Sequence, residues 1–386
     1  MTMVVVMRRI FAVVSLFVAS ASVFGGENVW TTNGPVGQVS AIAKDPNGLA
    51  LFAAATSEAR SVVYRSLDHG SSWVLVGEAP MDSFVSAIAV DTSYPDTVYA
   101  ATATPLGASP SGRMYGSFDA GSSWLLLAGL DGFLTGAVRG GFANSAALYA
   151  AGSVCRCVRY PCFAGMSCTP TVLKSHDSGR TWIGSSTGLF GWQLTSIEVD
   201  PIDPSRLLAA GDVGAFASDN GGERWSAANV GLEACPSVTG LAAAGSPTVF
   251  YAATARYGVE TLECGGVFRT DDGGQSWVPT TLRNVFATSI AVDPSKPETV
   301  YAGARKPGPL YPDGGVFRST DGGRTWERIG LGLPPSGVHQ IVIEPSGTVI
   351  HAGTSTGVYD YEIAPGARPP VVPSRTRETR TVSPRP

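Results

Sequence analysis

Positive charge and histidine are both scarce in this 386-residue chain, and each shortage argues against a class of function. The chain holds 27 basic and 31 acidic residues. Within residues 27–363 the balance is 20 basic against 30 acidic, which is not that of a nucleic-acid-binding surface. The four histidines are scattered at His69, His176, His339 and His351. A metal or nucleophile site built on histidine is therefore not expected.

Long apolar runs are also missing, apart from one near the amino terminus. Two arginines precede the apolar run 10–18, and Ala19-Ser20-Ala21 has the small side chains of a signal-peptidase site. We expect residues 1–26 to be a signal peptide, with Met7 as an alternative initiator, and the protein to be secreted or periplasmic. No later segment is long and apolar enough to cross a bilayer, so we expect no transmembrane helix after cleavage.

Large apolar side chains are rare at the carboxyl end. Residues 364–386 are rich in proline and arginine, a composition typical of disorder. We expect a solvated tail, although its basic character could also contact an acidic surface. Residues 27–363 then form the folded domain.

One motif, by contrast, occurs six times: Ser/Thr-x-Asp-x-Gly-x-Ser/Thr-Trp. Its aspartate and tryptophan positions are Asp68 and Trp73, Asp119 and Trp124, Asp177 and Trp182, Asn220 and Trp225, Asp272 and Trp277, and Asp321 and Trp326. In the fourth copy Asn220 replaces the aspartate and Arg224 replaces the second hydroxyl residue. The pattern predicts a tight turn, in which the carboxylate accepts hydrogen bonds from backbone N–H groups and the glycine adopts a positive φ. The tryptophan then buries its ring between neighbouring sheets.

Calcium is the alternative explanation of these aspartates. Each copy offers one regularly placed carboxylate and no bidentate glutamate at the far end. We therefore interpret the aspartates as structural and expect no metal.

A second repeat lies between the copies of this motif. Its best examples are residues 86–103 and 288–304, and its seven copies begin near Val39, Ser86, Ala137, Leu194, Val238, Thr288 and Val338. Each copy reads as two strands, and the six-fold motif supplies the turn between a third and a fourth strand. Four short antiparallel strands per unit are typical of a β-propeller.

Ring closure explains why there are seven repeats but six motifs. Trp30 precedes Val39 much as Trp277 precedes Ala287, so segment 29–32 can supply the missing fourth strand. The sequence therefore predicts an all-β fold, a single seven-bladed β-propeller of four-stranded antiparallel blades closed by its N-terminal strand.

The six-fold motif resembles the Asp-box, or bacterial neuraminidase repeat, of sialidases, xyloglucanases, sortilin-type receptors and photosystem II assembly factor-like propellers. The resemblance covers residues 29–361, and in layout it is closest to the last two groups. It implies that the Asp-box turns lie on the face away from the ligand site. Because these families include enzymes and binding proteins, it implies architecture and not activity.

The irregular loops are the expected binding surface. Asp-Pro turns and Asp boxes share one face, which we call the regular face, and all longer loops lie on the opposite, irregular face. Variable loops on a repetitive scaffold commonly carry binding. The candidates that could hold a carboxylate or sugar there are Arg256, Arg305, Trp192, Tyr311 and Arg283. The alternative is that each is a solvated loop residue.

Six cysteines in an exported chain suggest three disulfides. Cys235 and Cys264 lie on loops of one blade and form the most natural pair. Four more lie in one insertion, where three pairings are open: Cys155, Cys157, Cys162 and Cys168. A zinc knuckle is the rival for these four.

A hydrolase would need more than arginines. A sialidase-like site requires an arginine cluster, a tyrosine activated by glutamate, and an acid; the candidates are Tyr257, Glu260 and Asp131, with Asp82 as a second acid. The Phe/Tyr-Arg-Ile-Pro segment that marks sialidases is absent from the sequence. Xyloglucanases place their paired catalytic aspartates in a cleft between two propellers, and this chain is expected to form one propeller. We therefore expect an exported, monomeric, non-enzymatic propeller without cofactor that binds a protein or glycan, with a glycoside hydrolase as the alternative.

Overall fold

The computed structural model describes most of the chain between residues 29 and 363. The described ranges are 29–57, 60–76, 84–103, 111–139, 147–157, 166–246, 248–255, 264–306, 314–335 and 337–363. The expected signal peptide and tail lie outside them. Every regular element in these ranges is a β-strand, and none of the ranges contains a helix that could span a membrane.

The strands group into seven antiparallel sheets, the blades. Blade 1 contains β1 (Gln38–Lys44), β2 (Leu51–Ser57), β3 (Arg60–Ser66) and β4 (Val74–Leu75). Blade 2 contains β5 (Phe84–Val90), β6 (Val98–Ala103), β7 (Ser111–Ser117) and β8 (Leu125–Asp131). Blade 3 contains β9 (Phe133–Arg139), β10 (Leu148–Cys157), β11 (Met166–Ser175) and β12 (Ile183–Gly184).

The remaining blades follow the same order. Blade 4 contains β13 (Leu194–Val199), β14 (Leu207–Gly211), β15 (Gly214–Ser218) and β16 (Ser226–Ala227). Blade 5 contains β17 (Val238–Ala243), β18 (Phe250–Ala255), β19 (Gly265–Thr270) and β20 (Val278–Arg283). Blade 6 contains β21 (Phe286–Val292), β22 (Val300–Arg305), β23 (Gly315–Ser319) and β24 (Glu327–Ile329). Blade 7 contains β25 (Val338–Ile343), β26 (Val349–Thr354) and β27 (Val358–Glu362).

The core lies between neighbouring blades. The first strand of each blade packs against the first strand of the next, and β25 packs against β1. Phe52 and Val63 of blade 1, for example, share one buried cluster with Val85 and Val98 of blade 2. Most second strands are rich in alanine and almost entirely buried, as in β18, because small side chains let the blades approach closely.

The N-terminal segment completes blade 7, as predicted. Thr31 forms an antiparallel bridge with Asp360 of β27, with backbone bonds of 3.0 and 2.8 Å in the two directions. The Trp30 indole is 3% exposed and donates to the carbonyl of Ile329 in blade 6. The seven-bladed, four-stranded, N-terminally closed propeller is therefore confirmed.

Each Asp box is held by one small hydrogen-bond network. In blade 3 the Ser175 hydroxyl donates to Oδ1 of Asp177 at 2.8 Å and accepts the N–H of Gly179, which has a φ of 82°. Thr181 donates its N–H to Oδ1 at 2.8 Å and its hydroxyl to Oδ2 at 2.6 Å. These bonds join the end of the third strand to the start of the fourth.

The degenerate box shows why two of its substitutions occur together. Asn220 keeps the Oδ1 contacts, accepting from the Ser218 hydroxyl at 2.9 Å and from the Arg224 N–H at 3.1 Å. Its second atom is an amide nitrogen, which donates and cannot accept a hydroxyl bond. The hydroxyl residue is therefore dispensable in this box, and arginine stands in its place.

The box tryptophans fall into two groups. Trp124, Trp225 and Trp277 donate their indole N–H to a carbonyl of the preceding blade. Trp73, Trp182 and Trp326 donate to the glycine carbonyl of their own box and stay half-buried. Trp30 behaves as a member of the first group, which is the position expected for the tryptophan of blade 7.

The Asp boxes should make the fold sensitive to acid. The hydroxyl and N–H of Thr181 lower the pKa of Asp177 to about 2. For Asp272, desolvation alone would raise the pKa, but the hydrogen bonds from Ser276 outweigh it and lower the pKa to about 2. A depressed folded pKa contributes stability above the unfolded value of about 3.9, and that contribution is lost as pH falls towards 2. We expect the melting temperature to fall steadily between pH 5 and pH 2.

The natural Asn220 box supplies the control for this prediction. An Asp177→Asn/Asp272→Asn variant keeps the Oδ1 contacts but has two fewer titrating boxes, so its melting temperature should fall less steeply over the same range. A variant that keeps the wild-type slope in a calorimetric pH series would show that acid acts elsewhere.

Candidate functional site

The first strand of every blade carries a β-bulge at the same place. In β13, for example, Leu194 pairs with Gly211 and Ser196 with Ala210, which leaves Thr195 unpaired between them. The seven bulged residues all line the axial channel: Ser40, Ser86, Gly136, Thr195, Thr239, Thr288 and His339. A bulge re-aims a side chain, so this repeated irregularity builds a polar girdle around the axis.

Three threonines of the girdle link neighbouring blades. Thr195 donates to the carbonyl of Val238 at 2.6 Å, Thr239 to Ala287 at 2.8 Å and Thr288 to Val338 at 2.6 Å. Because each hydroxyl also reaches a carbonyl of its own blade at 3.1 to 3.2 Å, it fixes the spacing of adjacent first strands. The girdle is thus a rigid frame on blades 4 to 7.

His339 occupies the seventh position of the girdle and differs from the others. Its Nε2 is buried and has no hydrogen-bond partner in the described part of the chain. Burial and the positive charge of Arg305 hold the pKa of His339 below its usual 6.5. The ring is therefore neutral at neutral pH, and His339 lines the axial channel, a cavity of about 220 Å³, while its Nε2 is shielded from that cavity.

Arg305 lies next to His339 at the irregular face because blades 6 and 7 approach closely there. Arg305, the last residue of β22, bridges to Gly337, two residues before His339. Gly337 has a φ of 87°, and a side chain on it would lie 2.4 Å from the Cα of Arg305. The Arg305 guanidinium stands 4.9 Å from the ring centre of Phe286, a cation–π contact that orients it.

Arg305 and His339 border a second cavity, of about 400 Å³, which we call the irregular mouth. It is lined also by Gln193, Thr195, Asp212, Thr239 and Thr288. Asp212 is the sole carboxylate among its described lining residues, and it accepts the backbone N–H groups of Trp192 and Gln193 at 2.9 to 3.2 Å. The mouth thus combines one guanidinium, one neutral imidazole and several hydroxyl groups with a single engaged carboxylate.

The opposite end of the channel has a different character. Arg139 and Glu198 form an ion pair of 2.9 Å near this regular-face opening. Desolvation by burial lowers the pKa of Lys44 at the same opening. The basic charge at this opening therefore lies close to carboxylates.

The sequence-based candidates are only partly brought together. Arg305 lies in the mouth, and Trp192, 62% exposed, lies beside it. Arg283 is exposed at the end of β20, where its Nε donates to the carbonyl of Thr280, and Asp131 is exposed at the end of β8; neither lines the mouth. Arg256, Tyr257, Glu260, Tyr311 and the second acid Asp82 lie outside the described residues.

His339 and the girdle threonines are the site residues that sequence reasoning missed. The threonines do recur at one position of the second repeat, two residues before its apolar core, as in Thr288-Ser-Ile and Thr195-Ser-Ile. That recurrence was a signal. The bulge that turns these side chains to the axis leaves no comparable mark in the sequence.

Of the cysteines in the described residues, two form a disulfide and two are not bonded to each other. Cys155 and Cys168 form a disulfide across the β10–β11 hairpin, where they are paired in register, so they are not zinc ligands. The expected Cys235–Cys264 bond is not formed in the structure, although both residues belong to one apolar cluster. Cys162 and the side chain of Cys157 lie outside the described residues. No group of three or more metal-ligating side chains occurs in the described ranges.

Comparison with known proteins agrees with the architecture. Residues 317–328 match the BNR/Asp-box repeat family, and they contain the Asp box of blade 6 in this seven-bladed propeller. No protein of curated function matches the sequence significantly.

Solved structures show the same fold at low identity. The GH74 xyloglucanase of Xanthomonas campestris is 17% identical with a TM-score of 0.65, over 86% of this chain and 53% of that one. An ancestral GH74 enzyme is 17% identical with a TM-score of 0.61, over 86% of this chain and 46% of that one. YCF48 bound to a D1 peptide is 14% identical with a TM-score of 0.58, over 88% of this chain and 98% of that one. This chain therefore spans about half the length of the GH74 enzymes.

Proposed function

We propose that this protein is an exported, non-enzymatic propeller that binds a segment of another protein at its irregular mouth. The composition of the mouth carries the proposal. Arg305 and the girdle offer a cation and hydroxyl groups that suit the carboxylates and amides of a peptide. The one carboxylate among the described lining residues, Asp212, already accepts backbone N–H groups.

The likeness to YCF48 supports a peptide ligand. That structure holds a D1 peptide and is matched over 98% of its length, so a single propeller of this size is sufficient to bind a peptide. The partner of the present protein is a separate question, because 14% identity transfers the fold alone.

A glycan is the second candidate ligand, favoured by the likeness to the xyloglucanase. Hydrolysis of a glycosidic bond commonly requires two carboxylates at a set separation. Among the described residues the mouth supplies one. We therefore place glycan binding second and glycoside hydrolysis third.

A peptide array and a glycan array probed with the purified protein separate these candidates. We expect peptide hits, and we expect Arg305→Ala to weaken them roughly 30-fold, since truncating a central arginine of an interface costs about 2 kcal/mol. Arg324→Ala is the matched control: Arg324 belongs to the same blade but lies in the Asp box on the regular face. Hits confined to glycans, or turnover of fluorogenic glycosides, would contradict the proposal.

A further inference from the structure

Three Asn-Gly pairs occur in the chain, and the hydrogen bonds at each of them differ. The pairs are Asn33-Gly34, Asn47-Gly48 and Asn220-Gly221. An asparagine followed by glycine can lose its side-chain amide, because the unhindered backbone nitrogen of the glycine can attack the asparagine Cγ. That nitrogen is less available where its N–H donates a hydrogen bond that must first break. The contacts of the glycine N–H groups therefore rank the three pairs.

Two of the pairs are protected by such contacts. The N–H of Gly221 donates to the carbonyl of Ser205 at 2.7 Å, and the Asn220 side chain accepts two hydrogen bonds within its own Asp box. The N–H of Gly48 donates to the carbonyl of Asp45 at 3.1 Å. Attack on the asparagine of either pair therefore requires the loss of at least one native hydrogen bond.

Asn33 lacks this protection. It lies in residues 29–36, the segment that closes the ring, and its side chain is exposed. Neither that side chain nor the Gly34 N–H forms a hydrogen bond in the described part of the chain. Gly34 packs so closely against β27 that a Cβ on it would lie 2.8 Å from the Cβ of Val358. The fold therefore requires glycine directly after an unprotected asparagine.

We propose that Asn33 is a site of spontaneous deamidation, and that the reaction weakens the closure of the ring. The Gly34 nitrogen forms a bond with Cγ of Asn33 while the Cγ–Nδ2 bond breaks, and the released ammonia carries away the N–H proton. The product is a five-membered succinimide. Water then opens one of the two C–N bonds of this ring, which leaves aspartate or isoaspartate at position 33. No electrons are transferred, and water is the only co-reactant.

The new carboxylate would lie among existing ones. Asn33 lines a cavity of about 630 Å³ at the seam between blades 1 and 7. Four carboxylates line the same cavity: Asp68, Glu344, Asp360 and Glu362. The one basic side chain among the described lining residues is His69, which already contacts Glu344 at 2.6 Å. A further negative charge here repels its neighbours and therefore destabilises the folded state.

Isoaspartate would also change the backbone of the closing segment. It directs the main chain through the side-chain methylene, which adds one carbon atom to the chain at position 33. The segment is held on both sides of this position, since Thr31 pairs with Asp360 and Val36 pairs with Gly357. A longer chain between the two bridges cannot keep both in register. We therefore expect isoaspartate to be more damaging than aspartate.

Peptide mapping by mass spectrometry measures all three pairs in one sample. In the purified full chain at pH 8 and 37 °C, we expect the Asn33 amide to be lost about ten times faster than that of Asn47, because breaking one hydrogen bond slows a reaction by up to about tenfold. Asn220 should be the slowest. In urea the three rates should become similar, because the protecting hydrogen bonds are lost. Loss at Asn33 no faster than at Asn47 in the folded chain, or the same ranking in urea, would contradict the proposal.

The effect on ring closure has its own test. Wild-type protein aged at pH 8 should have a lower midpoint of urea unfolding than protein kept at pH 5, where attack by the amide nitrogen is slow. Asn33→Gln cyclises more slowly and should keep its midpoint during the same incubation. Fresh Asn33→Asp adds the charge without altering the backbone, so its midpoint should lie between those of fresh and aged wild type. An unchanged midpoint after complete modification of Asn33 would show that the reaction leaves closure intact, and the wild-type samples decide this if a variant fails to fold.

Discussion

The Trp30→Ala variant should unfold with a free energy about 3 to 5 kcal/mol below that of the wild type. Trp30 is 3% exposed, its ring centre lies 5.0 Å from that of Tyr361, and its N–H bonds to the carbonyl of Ile329. Its removal takes away a large buried side chain and a contact between the last two blades. The cost is expected in urea unfolding at 25 °C, as a lower midpoint with an unchanged m-value.

Trp326→Ala is the matched control for Trp30→Ala. Trp326 is half-buried, packs at the edge of the cluster between blades 5 and 6, and bonds to the carbonyl of Gly323 in its own turn. We expect a loss of roughly half that of Trp30→Ala, since less apolar surface is exposed. If both variants lose the same free energy, the N-terminal strand does not contribute more to stability than an ordinary box, and ring closure by Trp30 is not the stabilising feature inferred here.

The architecture could be predicted because each blade repeats local rules. Alternating apolar residues specify strands, and the Asp box specifies the turn between the third and fourth strand. The sequence has seven first strands but six Asp boxes, so one fourth strand must come from another part of the chain. The segment around Trp30 supplies that strand. The strands and turns depend on residues near each other in sequence, which is why they could be predicted from this sequence.

The site was harder to predict because it depends on pairing between strands. A bulge is a property of two strands, and a shift of one residue exchanges the faces to which side chains point. Thr288 recurs at one position of the repeat, but the sequence does not show that its side chain or that of His339 faces the axis. The depth of each box tryptophan likewise depends on the carbonyl that the preceding blade offers, so the difference between Trp277 and Trp326 could not be anticipated. Arg305 was found because it lies at the end of a recognisable strand.

The second large effect concerns a buried charge network at the seam between blades 1 and 7. His351 is fully buried, with Nδ1 2.6 Å from Asp360 and Nε2 3.3 Å from Glu344. Glu344 also bonds with His69 of the first Asp box at 2.6 Å. Desolvation alone would lower the pKa of His351, but the hydrogen bonds and charges of Asp360 and Glu344 outweigh it and raise the pKa to about 9. The network therefore joins the two ends of the ring through a histidine that is charged at neutral pH.

His351→Leu should destabilise the protein by about 3 to 5 kcal/mol at pH 7, because it leaves Glu344 and Asp360 buried without their cation. The sign of the pH dependence follows from the raised pKa. The stabilisation is fully present below the unfolded value of about 6.5 and is lost as pH rises through about 9.

Urea unfolding of the wild type between pH 7 and pH 10 should show this decline, and His351→Leu should lack it. His176→Leu is the control, since His176 also lies in an Asp box, directly before Asp177, and is exposed; its profile should follow that of the wild type. An alkaline decline that persists in His351→Leu would assign the pH dependence to another group. A decline that disappears would show that closure of the ring is held by charge at the blade 1–blade 7 seam as well as by the packing of Trp30.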